Sequence, residues 1–366
     1  MLQTLQATTH RSAVSTLKFG GRAFSILLAN IHAHIVPIAV VSLYTLALFI
    51  YIEIFHLESL AHFALYNGTA AFLFALTLGF FFIIYCFKAE IHDMPEKLFP
   101  HVMRKLKDEF FTLDRLFGAT LAIALFILML ITFANFKRMI PAVIPFHLDT
   151  NLSELDRWLH IGTDPWQWLQ PFIGFPIMTF AINIMYNLWL FLIIVVFYWQ
   201  AFSVTNKELR KQYLLAFFLC WILIGTLAAT FLSSAGPCYY HRFGDVPNVY
   251  APLMTYLHHA DAIYPIWALD MQDILLKSYD LKSTTMASGI TAMPSMHVSI
   301  AWLMVLLGWR INPFAGWVFS LYCGVILIGS VHLGWHYAVD GYVSIMLTTL
   351  IWHLSGKVLT RKSLSW

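Results

Sequence analysis

Long apolar runs separated by short polar stretches organise the whole chain. They fall at about 35–55, 63–87, 116–136, 172–200, 213–234, 294–309, 313–333 and 338–358. Most approach the roughly 20 residues a helix needs to cross the hydrocarbon layer, and a crossing segment must satisfy its own backbone, which favours helix. The pattern predicts an all-α polytopic membrane protein with about eight transmembrane helices. Two runs depart from the simple form. The run 172–200 is too long for one straight span, and Pro171, Gly174 and Pro176 predict a short interfacial or re-entrant piece before the span proper. The run 294–309 is short, which suits a helix whose first turn lies at the membrane face.

Composition agrees with this reading. The 366 residues are 60% hydrophobic and 11% charged, against about 45–50% and about 25% in ordinary soluble domains. The net charge of +3 matters less than its distribution. Sixteen of the 22 Lys and Arg lie in 1–34, 88–115, 201–212, 309–312 and 357–366. The alternate connections 137–170 and 235–293 hold the other six. Positive charge marks the cytoplasmic side. Both termini are therefore expected inside, with 137–170 and 235–293 outside; a bacterial inner (plasma) membrane is the default expectation and a Golgi-type membrane the alternative.

The basic stretch 1–30 (Arg11, Lys18, Arg22) lacks a long apolar core ending in small residues, so it is expected to lie along the membrane surface rather than to be cleaved. Residues 88–115 carry both signs at helical spacing and predict an amphipathic helix. The tryptophans of 137–170, such as Trp158, Trp166 and Trp168, suit an interfacial belt. No internal repeat is evident. The predicted organisation is 1–115, comprising a tail, two extra spans and an inner loop, followed by a six-span core over 116–366.

The connection 235–293 is long enough to need a reason. It opens Ser233-Ser234-Ala235-Gly236-Pro237-Cys238-Tyr239-Tyr240-His241-Arg242 and continues through helical-period segments at Leu257–Asp261 and Trp267–Asp273, consistent with a lid on the membrane. It ends at Ser288 through Pro294, a flexible entry to the next helix, with Pro294 expected in its first turn. The four cysteines are not expected to form bridges. The 16 histidines show no Cys-x-x-Cys or His-Glu-x-x-His spacing, so neither a metal nor another cofactor is expected. A nucleic-acid partner is not expected either.

The candidate chemistry lies in two short stretches, Ala292-Met293-Pro294-Ser295-Met296-His297 and Ser330-Val331-His332-Leu333-Gly334-Trp335-His336-Tyr337-Ala338-Val339-Asp340. A histidine beside a long apolar run is costly unless it is paired or used. His336 and Asp340 are four apart and would share one face of a helix. A carboxylate on one ring nitrogen fixes the tautomer and makes the other a better nucleophile. His297 would be the proton donor. The predicted topology brings all three to the outer face. Ser295 and the free N–H groups beside it suit an anion. Isolated histidines such as His160, His258, His259 and His353, and the pair Glu53 and His56, read as interfacial groups.

Pro294-Ser295-Met296-His297 resembles the Pro-Ser-x-His motif of the type 2 phosphatidic acid phosphatase superfamily, and His336-Tyr337-x-x-Asp340 resembles its last motif. The spacing is most similar to the branch of inositol phosphorylceramide and sphingomyelin synthases. The resemblance implies a six-helix phosphatase-like core, metal-independent catalysis and a phosphohistidine intermediate. Carried over, His336 is the nucleophile, Asp340 orients it, and His297 protonates the leaving oxygen. Where that family usually carries an Arg in the last motif, this chain has Ser330. The Lys- and Arg-bearing first motif is replaced by Gly236–Arg242. A transferring phosphoryl group still needs its charge neutralised. Arg242 is the leading candidate, with Tyr239, Tyr240, His241 and His332 as donors.

The expected function is that of a membrane lipid phosphatase or phosphotransferase acting on a lipid phosphate, diphosphate or phosphodiester at the outer leaflet. Two alternatives stay open. One is a head-group phosphotransferase that uses a lipid alcohol as acceptor. The other is a transporter in which the His–Asp pair relays protons.

Overall fold

The computed structural model describes residues 21–63, 67–244, 247–282 and 289–360. Among these, every regular element is helical. We label α1 (Ile35–Phe55), α2 (Asn67–Asp93), α3 (Leu113–Val143), α4 (Asp149–Leu159), α5 (Pro165–Ile173) and α6 (Pro176–Phe202). The second half of the chain comprises α7 (Lys207–Phe231), α8 (Ala251–Asp261), α9 (Trp267–Asp280), α10 (Met296–Ile311), α11 (Pro313–His332) and α12 (Ala338–Thr360). Among the described residues, six helices are long and apolar enough to cross a membrane: α1, α3, α6, α7, α11 and α12. The sixteen-residue α10 is the short apolar helix that 294–309 predicts. The 27-residue α2 carries the run at 63–87 from Asn67 onward. The basic stretch with Arg11 and Lys18 lies outside the described residues, as does Ser288.

Helix ends differ from the hydropathy pattern where side chains decide them. α3 continues to Val143, about two turns past its apolar run, and so carries Lys137 and Arg138 within a helix rather than a loop. Arg138 is buried and donates to Leu60 O at 2.8 Å. The run 172–200 divides at Gly174, with α5 before it and α6 starting on Pro176. α10 begins at Met296, not Pro294. Ser295 is its N-cap, a role that suits a serine hydroxyl. The mixed-charge stretch after α2 forms a short helix at Leu98–Lys105, tied back by Lys105 Nζ to Asp93 at 2.7 Å.

α10 and α11 form a tight antiparallel hairpin. Asn312 caps α11, accepting from Ala315 N at 2.8 Å, and Pro313 sits in the first turn. Polar contacts hold α10 to α12: Ser299 and Thr348 hydroxyls are 2.8 Å apart, and Trp302 Nε1 donates to Thr349 at 2.8 Å. Hydrogen bonds of this kind join helices where apolar lipid offers no hydrophobic drive. On the other flank, Tyr44 of α1 meets the Thr226 hydroxyl of α7 at 2.6 Å. Within α7, Cys220–Ala228 is wound as a wider π-helix, a form that recurs at functional sites. Two of its residues, Trp221 and Gly225, face the cavity described next.

Candidate active site

After α11 the chain reverses through Leu333–Tyr337, and the N–H groups of Trp335 and His336 both donate to Ser330 O at 3.0 Å. This turn fixes His336 just ahead of α12. Nδ1 of His336 donates to Asp340 Oδ2 at 3.2 Å, and the same oxygen accepts from Tyr337 N at 3.1 Å. The pair therefore forms, but across the entrance of a helix rather than along its face, because α12 starts only at Ala338. Asp340 is wholly buried and His336 is buried. Burial pushes the His336 imidazole down to about 3 against a raising hydrogen bond with the Ala292 backbone, and the charge of Lys137 acts with burial. The ring is thus neutral at neutral pH, the state a nucleophile needs.

His297 occupies the first turn of α10. Its ring stacks on Tyr186 at 4.5 Å between centroids, packs at a tilt on Trp189 at 4.1 Å, both from α6, and meets His336 edge-on at 6.1 Å. Trp189 Nε1 also donates to His297 O at 2.9 Å. The two imidazoles share one cavity of about 320 Å³, a volume typical of small-molecule sites. Lys137 and Phe133 of α3, Trp221 of α7, Tyr239, and Met271 and Leu275 of α9 complete much of its wall. The long 235–293 connection therefore supplies part of the wall, through α9. Tyr186, Trp189 and Lys137 escaped the sequence reading. The first two were hidden among many aromatic residues, and the lysine was counted as a loop charge.

Other candidate residues do not reach the cavity. Ser295 is buried, its Oγ accepting from Val298 N at 3.4 Å. Ser330 Oγ donates to Leu327 O at 2.8 Å. His332 is buried against Thr179 Oγ1 at 2.9 Å, and Tyr256 OH meets the same hydroxyl at 2.6 Å. Tyr240 is buried edge-to-face on Tyr250. His241 is exposed. Arg242 is exposed too, 3.8 Å from Asp280.

The reason is the anchoring of the Ser233–Tyr239 stretch. Gly236 adopts φ +102°, and a Cβ there would lie 2.6 Å from Trp335 O. Ala292 N donates to Ser234 O at 2.9 Å, and Cys238 N to Gly334 O at 2.8 Å. Ser233–Tyr239 thus ties together the two histidine-bearing turns, and past the buried Tyr240 the chain turns outward at the exposed His241 and Arg242.

Two carboxylates of α4 complete that frame. Asp149 accepts from Ala235 N at 2.9 Å, Gly236 N at 2.8 Å and the Tyr337 hydroxyl at 2.8 Å. Asp156 accepts from Ala338 N at 2.7 Å and Val339 N at 2.8 Å, capping α12. Burial pushes both carboxyl groups up, Asp156 to about 6, while the backbone donors pull the other way. Their spacing of seven, on one face with Leu152 and Ser153, was the signal available in the sequence.

The class that fold and site define is an integral membrane helical protein with a carboxylate-held imidazole and a second imidazole lining one cavity. Residues 150–354, more than half of the chain, match the PAP2 superfamily, and the chain belongs to it. That membership carries phosphatase-type activity on lipid phosphates. No curated protein matches the chain, and no solved structure does.

Proposed function

We propose that the protein is a lipid phosphatase or phosphotransferase working through a phosphohistidine on His336. The observation that carries this reading is the shared cavity, in which the Asp340-held ring of His336 faces His297. With Nδ1 engaged by Asp340, Nε2 is the reacting nitrogen. A lipid phosphate or diphosphate enters from the bilayer and Nε2 attacks phosphorus in line. His297 gives its proton to the departing alcohol or phosphate oxygen. Water, or the hydroxyl of a second lipid, then attacks the N–P bond with His297 as base.

The lining residues all fall between Phe133 and His336, which supports assigning the chemistry to the 116–366 core. The charge asymmetry of the loops favours the outer leaflet of a bacterial inner membrane as the working face. Transfer to a lipid alcohol, as in the sphingolipid-synthase branch, is the second reading. It is favoured by an apolar wall of Met271, Leu275, Ile290 and Met296, which suits an acyl-bearing acceptor.

The test is phosphate release by purified protein from a panel of lipid phosphates and diphosphates in excess EDTA. We expect release to survive EDTA and to fall at least about 10³-fold in folded His336→Ala and in folded His297→Ala. Full activity in either variant overturns the mechanism. A second phospholipid product on adding lipid alcohols would decide for transfer.

A further inference from the structure

A phosphoryl group in transfer spreads negative charge over its oxygens, and enclosed sites must answer that charge with fixed donors or cations. Neither imidazole answers it alone: one is the attacking group and the other gives its proton away. Asp340 adds negative charge beside them. Arg242, at the surface, does not line the cavity, and the position of Ser330 brings a hydroxyl already engaged by Leu327 O. Among the described residues that line the cavity, Lys137 is the one Lys or Arg.

Its placement is built rather than incidental. Lys137 lies one turn beyond Phe133 on α3, and both line the cavity, as a spacing of four on a helix requires. Its neighbour Arg138 points away, to Leu60 O. The backbone of Lys137 is pressed against Gly289, which has φ +106°. A Cβ at Gly289 would lie 2.9 Å from the Lys137 carbonyl carbon and oxygen. Gly289 lies in the segment that runs through Ala292 to Ser295 and the start of α10, so the lysine is registered directly against the segment leading to His297. Among the described residues, no hydrogen bond or ion pair holds its ammonium. A lysine ammonium among Phe133, Trp221 and Met296 is unfavourable until an anion joins it.

We propose that Lys137 is the cation that binds the phosphate of the substrate, supplied from α3, outside the stretch matched to the superfamily. The assignment rests on the cavity being a phosphate site. Its ammonium pairs with a non-bridging phosphate oxygen, holds the group between His336 and His297, and takes up charge as the N–P bond forms. No atoms are transferred to or from the lysine.

The experiment measures binding separately from turnover. Orthovanadate and inorganic phosphate are titrated against the purified full-length protein in detergent, using the ligand-induced shift of thermal unfolding. The variants are Lys137→Met, Lys137→Gln, Lys137→Arg and His336→Ala. We expect Lys137→Met and Lys137→Gln to weaken vanadate binding at least about tenfold and to lower kcat/KM about 10²–10³-fold. Lys137→Arg should recover most of both. The empty Lys137→Met protein should unfold at a higher temperature than wild type, because an unpaired charge has left an apolar wall. A merely structural lysine would give the opposite shift. His336→Ala should still bind phosphate within about threefold while losing turnover. Vanadate binding by a folded Lys137→Met or Lys137→Gln equal to wild type overturns the lysine assignment and leaves the histidine mechanism standing. Wild-type protein that binds neither anion overturns both. Turnover retained in His336→Ala overturns the mechanism alone, with the lysine still judged by binding.

Discussion

Three carboxylates are buried around the site, and the two regions that supply them use them differently. At the start of α12, Asp340 places one oxygen on both the His336 ring and the Tyr337 N–H. On α4, the Asp149 and Asp156 carboxylates meet backbone N–H groups and one tyrosine hydroxyl, and among the described residues neither carboxylate is hydrogen-bonded to an imidazole. All three are nearly or fully inaccessible. Burial and charge by themselves therefore do not identify chemistry. What the carboxylate touches does. A carboxylate on orphan N–H groups completes the backbone where helix and turn leave donors unsatisfied. A carboxylate on an imidazole sets which nitrogen reacts.

Substitutions of graded effect separate the two regions. Asp340→Asn keeps the size of the side chain but loses the charge on His336 Nδ1, and kcat should fall about 10²–10⁴-fold with little change in folded yield. Asp149→Asn and Asp156→Asn should act mainly on stability. Each leaves buried N–H groups poorly paired, at about 1–3 kcal/mol, and lowers the unfolding temperature. Activity per folded molecule should drop less than about tenfold, measured by kcat on size-selected protein. If Asp149→Asn matched Asp340→Asn in kcat at an unchanged unfolding temperature, the distinction between the two regions would be lost. Arg242→Ala should be the mildest, within about 0.5 kcal/mol in stability and about twofold in kcat/KM, as for an exposed side chain in a long, 3.8 Å ion pair. A loss beyond tenfold would return that arginine to the phosphate site.

Much of the frame was legible along the chain. The apolar runs at 35–55, 116–136 and 338–358 each became a helix of spanning length, because crossing a bilayer constrains consecutive residues. The break at Gly174 and the helices α8 and α9 inside 235–293 also followed from local signals. Ser233–Arg242 was harder. Its residues suggested an anion loop, yet their backbone groups are engaged with Asp149, Ala292 and Gly334. Nothing in the order of residues says that a loop will be consumed in joining two others.

Sequence alone determined the membrane class and the helical content and set His336 four residues from Asp340, since hydropathy and spacing are properties of neighbours in the chain. Tertiary structure decided the rest of the site. It turned Lys137, the residue just after the apolar run, inward, set His297 against both Tyr186 and Trp189, and spent Asp149 and Asp156 on the backbone. Each of those outcomes depends on where a helix ends and how it is rotated against helices distant in sequence, and no local pattern encodes that phase.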